Sequence, residues 1–108
     1  MTGFGPKNQA PCVWCKWTGN VNPPSIQDSF STSSITDGGT GYFDINFSNT
    51  MANDDFSGSA GGDTWGGSTT FDDGGGNSTT KLDVGGWNAS GARQDQAQMC
   101  CVVVGDLA

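Results

Sequence analysis

The residues best suited to chemistry stand near the two ends of the chain: Cys12-Val13-Trp14-Cys15 at one, Cys100-Cys101 at the other. Four thiolates can hold zinc or an iron–sulfur cluster. On extended backbone, however, adjacent side chains point to opposite faces, and so do residues three apart. Cys100 and Cys101 then diverge, as do Cys12 and Cys15, and Val13-Trp14 offers no glycine for the knuckle that would turn them together. A second reading is a disulfide. If the first and last strands are neighbours, each presents one cysteine per face, and bridges among Cys12, Cys15, Cys100 and Cys101 come within reach. The third reading is that of buried free thiols acting as small apolar residues.

Two other groups of residues invite a function. Asp54-Asp55, Asp63 and Asp72-Asp73 lie among glycines, and oxygen-rich loops can bind calcium. Their spacing fits neither an EF-hand nor a calcium-binding nonapeptide, so solvated turns are the simpler reading. Trp65 and Trp87 fall in polar stretches. They could be stacking platforms for a sugar at a receptor-binding tip, or the large plugs of a core short of leucine. Catalysis has little to stand on. The chain has no His and no Glu, no nucleophile elbow and no phosphate loop, so it reads as a non-enzyme without a cofactor.

The elements that would position these residues follow from composition. The 108 residues make one domain. With no Glu, eighteen Gly, and Leu only at positions 82 and 107, long helices are improbable, and an all-β domain with Gly/Ser/Asp-rich loops is the economical reading. Four basic residues against eleven Asp give a net charge of −7, which argues against nucleic-acid binding and against docking on anionic membranes. No stretch approaches the ~20 apolar residues of a membrane span, so no membrane insertion is expected. The start, MTGFGPKNQAP, lacks the apolar run of a signal peptide and reads as that of a product made in the cytoplasm.

Along the chain, residues 1–11 read as an N-terminal arm and residues 12–108 as the domain. Residues 12–17 form a short strand dense in large side chains. Asn22-Pro23-Pro24 makes a loop of residues 18–25. The stretch SFSTSSITDGGTGYFDINF, residues 29–47, reads as a hairpin. Phe43, Ile45 and Phe47 share one face of its second strand, and Phe30 and Ile35 mark its first. Residues 37–41 supply the turn. Residues 48–55 are a polar connection through Met51, and residues 56–80 hold weak, edge-like strands. Residues 81–84 form a strand closing at Gly85-Gly86, residues 87–98 a polar loop, and residues 98–104 a β-branched run fit for a buried central strand.

These residues resemble a module of bacteriophage tail-fibre and related virion appendage proteins, of marine-phage type. The resemblance is carried by Trp14, Trp17, Ser29, Phe30, Ser33, Ser34, Ile35, Thr36, Asp37, Gly39, Thr40, Gly41, Ile45, Asn46, Phe47 and Met51, and by the ending Val104-Gly105-Asp106-Leu107. It covers about the first half of the chain and the last strand, and fades between residues 56 and 98. It implies a small antiparallel β-sandwich, jelly-roll-like, that belongs to a virion, tends to form a homotrimer and carries no catalytic residues. The implied role is that of a structural component of a tail fibre or other surface appendage, with other virion proteins as partners and a host surface glycan as a further one. Capsid decoration is the alternative within the virion, a small carbohydrate-binding module the alternative outside it, and a cysteine metalloprotein a third.

The register of each strand predicts a core of Val13, Cys15, Trp17, Phe30, Ile35, Phe43, Ile45, Phe47, Leu82, Val84, Met99, Cys101 and Val103. It also predicts that the strand of residues 12–17 lies beside that of residues 100–104. So few convincing strands, so poor in Leu, Ile and Val, predict a chain that gains burial between subunits.

Overall fold

The computed structural model describes residues 13–63, 67–71 and 77–106, the side chains of residues 68, 70 and 71 excepted. The described residues form eight strands: β1 (Val13–Thr18), β2 (Ser25–Phe30), β3 (Thr32–Gly39), β4 (Tyr42–Phe47), β5 (Ser57–Gly62), β6 (Ser68–Phe71), β7 (Lys81–Trp87) and β8 (Met99–Val104). They make two four-stranded antiparallel sheets, ordered β2-β1-β8-β5 and β3-β4-β7-β6. The fold is therefore an all-β sandwich, as composition and resemblance led us to expect.

The alternation of apolar residues sets which way each strand faces. Val13, Cys15 and Trp17 of β1 and Met99, Cys101 and Val103 of β8 are buried against Phe43, Ile45 and Phe47 of β4 and Leu82 and Val84 of β7. Strands β1 and β8 are neighbours, in the register Val13↔Val103, Cys15↔Cys101, Trp17↔Met99. The largest side chain in this layer, Trp17, is fully buried and packs on Phe43 with ring centroids 5.9 Å apart. Its indole N–H has no acceptor among the described residues. That costs about 1–3 kcal/mol, which the packing of the ring must offset.

The structure departs from the sequence reading at four places. Residues 29–39 are not one hairpin arm. Ser31, with φ of 56°, breaks the segment, so that β2 ends at Phe30 in one sheet and β3 begins at Thr32 in the other. Phe30 is consequently no core residue but is 53% exposed, and Ile35, on an edge strand, is only partly buried. The places foreseen for these two are taken by Met51 and Phe56. Phe56 meets Phe47 edge to face at 5.7 Å. Second, the strand holding Phe30 begins at Ser25, where a loop was expected to end, and not at Ser29. β2 is almost wholly exposed, and an edge strand wet on both faces shows no alternation. Third, β7 does not close at Gly85-Gly86 but runs through both to Trp87. Gly86 is there for close approach, since a Cβ on it would lie 2.5 Å from the Gln94 carbonyl oxygen. Fourth, Trp87 therefore belongs to a strand and not to the loop that follows it.

Two expectations for the middle of the chain hold. Strands β5 and β6 do arise from the Gly/Ser/Thr-rich stretch, and both lie at sheet edges. The long connection of residues 88–98 crosses from β7 to β8 and closes one end of the sandwich. Gln96, 1% exposed, sits in it and donates from Nε2 to Thr69 Oγ1 at 3.2 Å and to the Trp87 carbonyl at 3.4 Å. The arm of residues 1–11 lies outside the described residues.

Candidate functional site

The same end of the sandwich gathers three loops on one glycine. Gly41 has φ of 72°, a left-handed value that favours glycine. A Cβ there would lie 2.5 Å from the Gly86 carbonyl oxygen and 2.9 Å from the Gln94 nitrogen. The Gly41 N–H donates to Asp95 Oδ1 at 2.7 Å, and its carbonyl accepts from Gly86 N–H at 2.9 Å and from the Arg93 guanidinium at 3.1 Å. The β3–β4 turn, β7 and the 88–98 loop are thereby held as one unit. The β1–β2 turn joins them through Gly19 N–H, which donates to the Gln96 carbonyl at 3.0 Å.

Between these loops lies an open hollow of about 370 Å³, lined by Asn20, Val21, Asn22, Asp37, Gly39, Thr40 and Asp95. Both carboxylates are fixed by main-chain donors, Asp95 as above and Asp37 by the Gly39 N–H at 2.9 Å. The lining offers carboxylate, amide and hydroxyl groups on backbone already ordered by its own hydrogen bonds. Such groups can donate hydrogen bonds to a polar ligand and accept them from it.

Beside the hollow stands a stack of three side chains. Arg93 lies between Tyr42 and Trp87, its guanidinium carbon 3.7 Å from one ring centroid and 3.9 Å from the other. Register explains the slot: Gly85 is opposite Tyr42, and Trp87 follows two residues on, on the same face. Each cation–π contact is worth about 0.5–2 kcal/mol. Trp87 thus has one face already occupied by Arg93, while Tyr42 remains 43% exposed. Trp65, the other aromatic considered for a sugar, lies outside the described residues.

The described cysteines do not gather at one site, but two of them meet across the β1–β8 ladder. Cys15 and Cys101 are buried register partners on the inner face, Cys100 is exposed on the outer face opposite Lys16, and all three are free thiols. Cys12 lies outside the described residues. No group of three or more metal-ligating side chains occurs among the described residues. Burial pushes the Cys15 thiol up to about 11, a hydrogen bond with Thr32 opposing it. It pushes Cys101 up to about 12, with the neighbouring Cys15 and Cys100 adding to the rise and a main-chain hydrogen bond at Cys15 opposing it. Such thiols are poor nucleophiles and pack as apolar groups.

The loop aspartates that are described do not come together as a site. Asp63 Oδ1 accepts from the Gln98 N–H at 3.1 Å, and the Asp55 N–H donates to Asn53 Oδ1 at 2.9 Å. Asp72 and Asp73 lie outside the described residues. Sequence reasoning missed Asp95, Arg93 and Gly41 as a group. Their signals were a lone Arg in a loop after a Trp, and glycines flanking the turn before the sole Tyr. No family model matches this chain, and no curated protein or solved structure is significantly similar to it.

Proposed function

We propose that this chain is a non-enzymatic structural protein of a bacteriophage virion, a β-sandwich of a tail fibre or other surface appendage that takes part in host attachment. It associates with itself, as a homotrimer, and with other virion proteins. The reading starts from the pattern of residues 29–47 and of the last strand. The observation that carries its attachment role is the preformed polar hollow at one end of a rigid sandwich, with Tyr42 exposed beside it. An appendage tip has to present such a surface, and the ligand chemistry it suits is a host surface glycan.

Two measurements test this. Peptide mass spectrometry of purified particles should find the chain in stoichiometric amounts, and immunogold labelling should place it on the tail. Gold on the shell would make it a capsid decoration protein instead, and a chain found only free in the lysate would end the proposal. On a glycan array, the protein should bind a defined set of sugars, and Asp95→Ala should lose that binding by tenfold or more. Glycan binding by a chain that is absent from particles would favour a free-standing carbohydrate-binding module.

A further inference from the structure

The side of the β2-β1-β8-β5 sheet that faces away from the core carries a band of apolar side chains. Direct register partners share a face, so Phe30, Trp14, Val102 and Ser59 form one row across all four strands. Phe30 is 53% exposed, Trp14 and Val102 are half-buried, and Val104, two residues from Val102 on the same face, is 38% exposed. In the neighbouring row, Asp28, Lys16, Cys100 and Gly61 stand side by side. Gly61 adds no side chain, and beside it Lys16, Cys100 and Met99 border a hollow of about 270 Å³ with Gly62, Asp63 and Gln98.

We infer that this face docks a second copy of the same chain. Charge is the first argument. The chain bears a net charge of −7, so two copies repel each other over most of their surface. This face adds no net charge to that repulsion: Lys16 and Asp28 stand side by side in one row, and Asp63 borders it. Copies that meet here keep their other aspartates apart, and the Lys16 of one can take the Asp28 of the other while apolar row meets apolar row. An acidic partner of any other kind would find too little positive charge, and a basic one would find more attraction elsewhere. Area is the second argument. Each of the four strands has six residues. At about 3.3 Å per residue and 4.8 Å between strands, the face spans roughly 20 by 19 Å in plan. Side-chain relief enlarges this toward, without reaching, the ~800 Å² per partner of a standard interface. That is the scale of a reversible contact between small subunits. The contact pairs two copies across a twofold axis, so it is additional to the homotrimer proposed for the assembled particle, and it stands whatever that particle is.

The test uses the full chain, reduced throughout. Its mass should rise from 11.1 kDa at low micromolar concentration to at least twice that value toward the millimolar range. Phe30→Asp should shift that midpoint upward by tenfold or more, while Tyr42→Ser, on the opposite sheet, should leave it unchanged. Alkylation of Cys100, mapped by peptide mass so that no variant is needed, should slow in step with association. A chain that stays monomeric with Cys100 open to reagent at every concentration would overturn the inference. So would a monomer whose Cys100 is shielded at every concentration, because its own residues 1–12 would then be the occupant. Association equally sensitive to Tyr42→Ser would place the contact elsewhere and overturn it too.

Discussion

The two sheets turn very different outer faces to the surroundings. Outside β3-β4-β7-β6, several described side chains pair with one another. Asn46 Nδ2 donates to Ser34 Oγ and Thr36 Oγ1, both at 3.0 Å. Lys81 lies 3.4 Å from Asp44 and 3.7 Å from Asp83, and Asp83 is only 5% exposed. Arg93 fills the slot between Tyr42 and Trp87. Outside β2-β1-β8-β5, Phe30, Trp14, Val102 and Val104 make an apolar band instead. The chain thus satisfies one sheet with its own polar pairs and leaves the other with groups that gain by being covered. On the inference drawn above, one side of the sandwich serves the chain's own stability and the other its association.

The inner faces are what the two sheets share, and breaking them should cost most. Trp17→Ala from one sheet and Phe43→Ala from the other should each lose about 3–5 kcal/mol by urea unfolding. Because the two rings touch, the double variant should lose less than the sum.

Opposite faces of the same two strands can then be compared through their thiols. In a Cys12→Ser chain, Cys100 should be alkylated at once and Cys15 and Cys101 only on unfolding. The folded pKa values of the buried pair are raised, to about 11 and about 12. Their neutral forms fit the fold, so their contribution is complete below the ordinary thiol value of about 8.5. It is lost as pH rises, because the unfolded chain ionises first. Stability at pH 10 should be lower than at pH 8 by about 1–3 kcal/mol, and Cys15→Ala with Cys101→Ala should flatten that slope.

Smaller losses should separate the outer faces. Lys81→Met removes the ammonium beside Asp44 and Asp83, and Arg93→Ala empties the aromatic slot. Each should cost about 1–2 kcal/mol in the isolated monomer. Phe30→Ser, on the other sheet, should change monomer stability by no more than about 0.5 kcal/mol. A loss of 2 kcal/mol or more at Phe30 under dilute conditions would mean that the chain already covers that band itself.

Much of this was legible in the sequence wherever one strand face is buried and the other wet. The alternations of β1, β4 and β8 gave the core and its register, including Cys15 opposite Cys101. Phe30 misled because the same period-two rule fits an apolar residue pointing outward, and only the turn at Ser31 decides which. Ser25 to Asp28 carried no strand signal, since an exposed edge imposes no alternation. The hollow was beyond sequence reasoning altogether. Asp37 and Asp95 stand 58 positions apart and meet only because Gly41 lets the 88–98 loop dock against the β3–β4 turn.

The contrast between the outer faces is tested most directly by hydroxyl-radical footprinting of the unaltered chain across a range of concentrations. At high dilution, Trp14 and Phe30 should oxidise readily, more so than Trp87. As concentration rises through the association midpoint, oxidation of Trp14 and Phe30 should fall severalfold while that of Tyr42 and Trp87 stays level. Constant protection of Trp14 and Phe30 at every concentration, or a parallel fall at all four residues, would contradict the division of the molecule into a self-covered sheet and a docking sheet.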